Sequence, residues 1–234
     1  MPFMSGQPKF LLANNPILLP HQVKILREFF TSPFGKDFFL TGGTALSAFY
    51  LAHRDSKDFD LFTKDDLDLI SLENTLQEIT KKLAAGLEVK VRTQNYCEMY
   101  LENKKDGWIQ RLDFVHEIPV HFGKFLKVEN VVIDSVENIA SNKIGAIFGR
   151  IEPKDYVDLY FILKEKGAKT DFWKVFAQAQ KKDLGVNEFY LGNLITAAQN
   201  MANFPIIKRP FDKTAFRQFY ANLSRELLLK IKPS

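Results

Sequence analysis

The sequence predicts an α/β (α+β) protein, a domain built on a mixed sheet followed by a helical C-terminal domain. Two patterns and one proportion carry this. Apolar residues recur at helical spacing over 20–32 and 67–83, whereas 88–92, 96–101 and 108–115 alternate with period two. From Ser135 onward the segments are helical in character and are punctuated by Gly, Pro and Asn. Of the 234 residues 46% are hydrophobic and 26% charged, a balance that supports real cores and argues against disorder.

The elements follow in order. Residues 20–32 place Val23, Leu26, Phe29 and Phe30 on one helix face, and Ser32-Pro33-Phe34-Gly35 ends the pattern. Asp37 to Thr41 reads as a short strand, Gly42-Gly43 as a turn, and Thr44 to Ala52 as a helix. Lys57 to Phe62 alternates charged and apolar residues and reads as a second strand, with a long amphipathic helix over Leu67–Leu83. The three alternating segments that follow complete the sheet. Helices are expected near 135–149, 154–166, 171–182, 187–202 and 212–230, with a break between Arg150 and Lys154 because Pro153 suits a first helical position. The expected domains are 1–130 and 131–234.

Composition narrows the setting. A single cysteine, Cys97, cannot form an internal disulfide, and the opening residues lack the charged and apolar regions of a signal peptide. No apolar run approaches the ~20 residues a membrane-spanning helix needs. A cytoplasmic protein without a membrane partner is expected. The net charge of +4 is uneven, since residues 131–234 hold 16 Lys/Arg against 11 Asp/Glu. A basic half suits a phosphate-rich partner, although such an excess is also ordinary for a solvated surface.

The chemistry lies in Leu40-Thr41-Gly42-Gly43-Thr44-Ala45-Leu46 and His53-Arg54-Asp55-Ser56-Lys57-Asp58-Phe59-Asp60-Leu61-Phe62. Paired glycines between a strand and a helix let the backbone approach a ligand, and the helix start aims free N–H groups at it; phosphate is the natural occupant. Asp58 and Asp60, two apart on a strand, project from one face with Phe59 and Leu61 behind. Hard carboxylate oxygens suit magnesium held jointly with substrate phosphates. Alone, Gly-Gly is commonly a turn and Asp-x-Asp an exposed strand face. Together, at the ends of consecutive strands joined by one helix, they converge on one sheet edge.

Gly42-Gly43-Thr44-Ala45-Leu46, His53-Arg54, Ser56 and Asp58-Phe59-Asp60-Leu61-Phe62 resemble the first motif of the AbiEii/AbiGii nucleotidyltransferase toxins, within the DNA polymerase β-like superfamily. Fourteen residues separate Gly43 from Asp58, slightly more than the broad superfamily pattern usually allows. Asn142-Lys143 through Arg150 and Lys154-Asp155-Tyr156-Val157-Asp158-Leu159 are similar to later helical motifs, so the resemblance spans about 38–165. It implies a polymerase β-like nucleotidyltransferase domain that uses Mg2+ or Mn2+ and a nucleoside triphosphate. Asp58 and Asp60 would hold metal, with Asp113 the candidate third carboxylate on a later strand. Gly42, Gly43 and Thr44 would hold the triphosphate, with Arg54 and Ser56 beside them, Lys143 would touch the nucleotide and Asp158 would support the site. The acceptor implied is RNA such as a tRNA end, with a separately encoded antitoxin restraining toxicity.

Bland readings stay open at three of these positions. Arg111, on the same strand face as Asp113, offers it a salt bridge in place of a metal. Lys143 and Arg150 share one helix face, and Asp155 and Asp158 the next, so interhelical salt bridges explain them as well. Two rival functions remain. A small-molecule nucleotidyltransferase of the antibiotic-modifying kind shares the first motif; a non-catalytic nucleotide- or RNA-binding module would have no need of clustered carboxylates that repel phosphate. Zinc is improbable at His116 and His121, which lack a cysteine partner, and Ser56 lacks a base to make it a nucleophile.

Overall fold

The structure, a computed structural model, describes residues 9–117, 119–165 and 170–231. Helix α1, Pro20–Thr31, starts with proline where no N–H is needed, and Gln22 Oε1 accepts the Leu19 N–H at 2.9 Å. Its buried stripe is Gln22, Ile25, Leu26, Phe29 and Phe30, with Val23 only half-buried. Gly35 follows because a Cβ there would stand 2.0 Å from the Phe29 carbonyl oxygen.

Strand β1, Phe38–Thr41, runs straight into a helical turn α2, Gly42–Ala45, continued by a wider π-helical segment, Leu46–Leu51. The glycines therefore open the helix, where the sequence suggested a turn before it. Strand β2 is Phe59–Thr63, two residues shorter at its start than expected, so Asp60 is in the strand and Asp58 precedes it. Helix α3, Leu69–Leu83, is capped by Asp68, whose carboxylate accepts the N–H groups of Ile70 and Ser71. Strands β3 (Gly86–Arg92), β4 (Tyr96–Asn103) and β5 (Trp108–His116) follow the expected alternation. Two further short strands, β6 (Leu126–Val128) and β7 (Val131–Ile133), escaped the sequence reading.

The seven strands form one mixed sheet in the order β3-β4-β5-β2-β1-β7-β6, with β2–β5 and β1–β7 parallel. One face carries Phe38, Leu40, Phe59, Leu61, Leu112, Phe114, Cys97, Met99 and Leu101, all essentially buried. Phe29 of α1 meets Phe38 and Phe114 of this face at ring separations of 5.5 and 5.7 Å. Each such ring removed from water contributes roughly 1.5–3 kcal/mol, enough to commit this face to the core. The charged residues Asp60, Asp113, Arg111 and Glu98 of the same strands are left on the opposite face.

Among the described residues five α-helices follow, α4 (Val136–Gly149), α5 (Pro153–Lys164), α6 (Phe172–Lys182), α7 (Glu188–Leu194) and α8 (Lys213–Leu229), with a 3-10 turn at Ile195–Asn200 after α7. Pro153 is the first residue of α5, and the expected end of that helix at 166 lies outside the described residues. The described chain divides into two units: one holds residues 9–50 together with Ser56–Ser135, the other Leu51–Asp55 together with Val136 onward. Within the helical unit Arg54 bridges to Ile207, with Asp55 N–H on the Ile206 carbonyl and Lys208 N–H on the His53 carbonyl. Its core is aromatic; Tyr156, Phe216 and Tyr220 pack edge to face, and Tyr220 Oη donates to the Tyr156 carbonyl at 2.6 Å.

Candidate active site

On the sheet face away from Phe29, register builds a row of side chains. Thr41 pairs with Asp60, Asp60 with Asp113, and Asp113 with Glu98, across β1, β2, β5 and β4. Paired residues on adjacent strands share a face and lie about 4.8 Å apart, so Asp60 and Asp113 are direct neighbours. Three carboxylates in one row repel one another. Arg111, two residues before Asp113 and therefore in the next row, offsets this with Nη2 3.0 Å from Glu98 and Nε 3.0 Å from Asp113. Burial alone would lower the Arg111 pKa, but the bonds to Asp113 and Tyr96 and the neighbouring carboxylates raise it, so the guanidinium stays charged. Tyr96 Oη donates to Asp113 at 2.8 Å; burial, then this carboxylate, pushes its pKa up.

The glycine turn meets this row at Asp60. Gly42 has φ +68°, and a Cβ on it would stand 1.9 Å from Asp60 Oδ2. The space that the sequence reading reserved for a ligand beside Gly42 is thus shared with the Asp60 carboxylate. Thr41, 2% exposed, donates through Oγ1 to Asp134 Oδ2 at 2.5 Å, and Asp134 also receives the Ser135 N–H at 2.7 Å and faces His121 Nε2 at 2.9 Å. This fixes the last residue before the turn. Thr44 is fully buried: its hydroxyl lies 2.6 Å from the Asp58 carbonyl, to which it must donate, and 2.9 Å from Ser56 Oγ, whose hydrogen it can then accept. Thr44 and Ser56 therefore serve the Asp58 segment in this structure, and Asp58 itself is exposed.

Arg54, Lys143 and Asp158 come together in the helical unit. Arg54 grips Asp158 with two parallel bonds of 2.6 and 2.8 Å, His53 Nε2 lies 2.8 Å from the same carboxylate, and Lys143 Nζ lies 2.6 Å from Asp158 and 2.7 Å from Asp155. Arg150 closes the set with Nε 2.9 Å from Asp155. Both carboxylates are fully buried and Lys143 nearly so. Each buried charge costs several kcal/mol unless paired, and here two carboxylates face the buried cations Lys143 and Arg54. Burial raises the Asp158 pKa, yet Lys143 and Arg54 outweigh it and hold the carboxyl well below its ordinary range. Burial likewise works to lower the Lys143 pKa, and Asp158 and Asp155 outweigh it upward. His53 is neutral, kept below its ordinary value by burial, so its Nε2 carries the hydrogen donated to Asp158. The interhelical salt bridges left open by the sequence are thus formed.

The donor set bears on the metal. Among the described residues no three acid, imidazole or thiol groups are arranged as a ready cage for a cation. Asp113 is engaged by Arg111 and Tyr96, Asp60 lies against Gly42, and exposed Asp58 stands two residues before Asp60. Magnesium is usually held by one or two carboxylates together with substrate phosphates and water, and this pair fits that requirement.

Sequence reasoning passed over Gln22, Gln110 and the Asp134–His121 pair. Two of these carried a signal: Gln22 stands on the apolar stripe of its helix, and Gln110 shares strand parity with Leu112 and Phe114, so each is an amide at a core position.

Comparison with known proteins gives a consistent picture. The family model described as nucleotidyl transferase AbiEii toxin, type IV toxin–antitoxin system, matches residues 24–229, well beyond the segment whose resemblance the motifs carried. The fold is similar to the crystal structure of JHP933 from Helicobacter pylori, with a TM-score of 0.58 and 17% identity, covering 88% of each chain. It is also similar to a candidate nucleotidyltransferase of Helicobacter pylori, with a TM-score of 0.59 and 16% identity over 90% of this chain and 94% of that one. No curated protein sequence matches significantly.

Proposed function

We infer the reaction from one premise, that the chain belongs to the AbiEii nucleotidyl transferase toxin family and is a nucleotidyltransferase. It moves a nucleoside monophosphate from a nucleoside triphosphate to an acceptor hydroxyl, as the toxin of a toxin–antitoxin pair, in the cytoplasm. The acceptor is an RNA, a tRNA end being the favoured case. The observation that supports this reading best is the placement of Asp60 between the Gly42 turn and Asp113, with exposed Asp58 two residues upstream.

Asp58 and Asp60 would hold Mg2+ or Mn2+, which supplies Lewis-acid activation of the acceptor hydroxyl and neutralises charge on the leaving pyrophosphate. Asp113, beside Asp60, adds negative potential that Arg111 moderates. Gly42 and Gly43 shape the start of α2 against which the triphosphate lies, while Thr44 and Ser56 keep Asp58 in place. Lys143 and Asp158 serve through the buried network they form with His53 and Arg54. The RNA assignment is supported by the basic excess of the helical half, although Lys143, Arg150, Lys208 and Arg209 each already face a carboxylate.

The test is transfer of label from each of the four nucleoside triphosphates, α-labelled, to total tRNA with Mg2+ and with EDTA. Labelled tRNA with metal, and none with EDTA or with Asp58→Ala, is the expected result. Label on an aminoglycoside and none on RNA would replace the RNA acceptor with the antibiotic-modifying alternative.

A further inference from the structure

Asp58 stands outside the hydrogen-bonded part of its strand. The ladder from β2 to β1 reaches Asp60, and that to β5 reaches Phe59, so neither sheet neighbour holds Asp58. An exposed carboxylate on an unpaired backbone would sample many orientations. The peptide groups on both sides of Asp58 are nevertheless pinned. On its C-terminal side, Thr44 Oγ1 donates to the Asp58 carbonyl at 2.6 Å. On its N-terminal side, the Lys57 carbonyl receives two amide donors, Gln110 Nε2 at 2.6 Å and Gln22 Nε2 at 2.8 Å.

Every polar atom of the two carboxamides is used. Gln22 sends its second hydrogen to Gln110 Oε1 at 2.9 Å and accepts the Leu19 N–H; Gln110 sends its second hydrogen to the Arg111 carbonyl at 2.8 Å. Both residues are 1% exposed. Only one orientation of each amide satisfies these bonds, so the pair is a rigid bracket joining α1, β5 and the segment before β2. With both flanking peptide planes held, φ and ψ of Asp58 are held as well. Two buried glutamines are an expensive way to fill a core, since each must satisfy three or four polar sites away from water. Packing alone calls for leucine or methionine at these positions.

We propose that Gln22 and Gln110 are positioning residues for Asp58, holding the Lys57 carbonyl so that the Asp58 carboxylate is presented to a divalent cation in one orientation. This rests on the reading of Asp58 as a metal ligand. Because both amides donate to one oxygen, loss of either leaves the other in place and loss of both frees the Lys57 carbonyl. The two substitutions should therefore act more than multiplicatively.

The experiment measures Mn2+ affinity by electron paramagnetic resonance on the full-length protein with a non-hydrolysable nucleoside triphosphate. It compares Gln22→Leu, Gln110→Met, the double variant, Asp58→Asn, and Val128→Ala as a core substitution in the same sheet, on the edge strand β6 and paired with Val131. Outer-shell partners of metal ligands typically set about 10–100-fold in affinity, so the double variant should weaken Mn2+ by about 30-fold or more, each single variant by about threefold, and Val128→Ala not at all. If the double variant does not fold, Gln110→Met must by itself bind Mn2+ about threefold more weakly than Val128→Ala. Wild-type affinity in the glutamine variants, with affinity lost in Asp58→Asn, overturns the positioning role alone. Wild-type affinity in Asp58→Asn overturns the metal assignment of Asp58 and the proposal with it.

Discussion

Asp60 and Gly42 occupy each other's space: the carboxylate of one lies where the other's side chain would begin, 1.9 Å from an ideal Cβ. This contact joins the two halves of the motif. Gly42→Ala should be costly twice, since φ +68° strains any L-residue by about 1–3 kcal/mol and the new methyl must displace Asp60. Nucleotide transfer should fall by more than 100-fold, with a loss of melting temperature that calorimetry reads directly. Transfer at the wild-type rate would show that the Asp60 position is immaterial.

Asp58→Ala should abolish transfer while changing stability by no more than about 0.5 kcal/mol, because the side chain is exposed. Asp60→Ala should abolish transfer too. Rates from a radiolabel assay, set beside melting curves, separate lost chemistry from lost fold. Retention of wild-type transfer by both variants would remove the catalytic assignment.

Asp158→Asn leaves Arg54 and Lys143 in a buried site with one carboxylate fewer. Removing one partner of a buried ion pair typically costs 3–5 kcal/mol, so denaturant unfolding should show a loss of about that size, far above that of Asp58→Ala. A loss below about 1 kcal/mol would mean that the network is solvated in solution.

Acid should weaken the helical unit in two separate windows. Burial holds the His53 pKa below its ordinary 6.5, reinforced by Arg54 and Lys143, while the bond to Asp158 opposes it. Below pH 6.5 the unfolded chain takes up a proton that the folded chain resists, so stability present above that pH is lost as pH falls. The Asp158 carboxyl is depressed well below 3.8, so its contribution is present above that value and is lost only under stronger acid. Melting temperature should fall between pH 7 and 5, and His53→Gln, which keeps a donor to Asp158, should flatten that slope. An unchanged slope in the variant would assign the acid sensitivity to other groups.

Much of the fold was legible because local periodicity reports which face of an element is buried. The stripe of α1 and the alternation of β4 and β5 were plain from Phe29, Phe30, Met99 and Phe114. The three-residue strands β6 and β7 were not, since a run that short, turning through Glu129 at φ +53°, shows no period. Within the site, the motif residues Gly42, Asp58 and Asp60 stood out by type and spacing.

What the chain by itself determined is therefore the inventory: two carboxylates after a glycine pair, an amphipathic helix on either side, and charged residues at helical spacing in the second half. What only tertiary structure decided is which groups meet. Asp60 neighbours Asp113 because β5 inserts beside β2, 53 residues away in sequence, and no local pattern encodes strand order. Asp158 finds His53 and Arg54 because residues 51–55 leave the sheet-bearing unit for the helical one, and those bonds span 104 and 105 residues. Gln22 and Gln110 converge on Lys57 across 35 and 53 residues. Burial can be read from spacing because it is a property of one element; a hydrogen bond between distant residues depends on the register of every element between them.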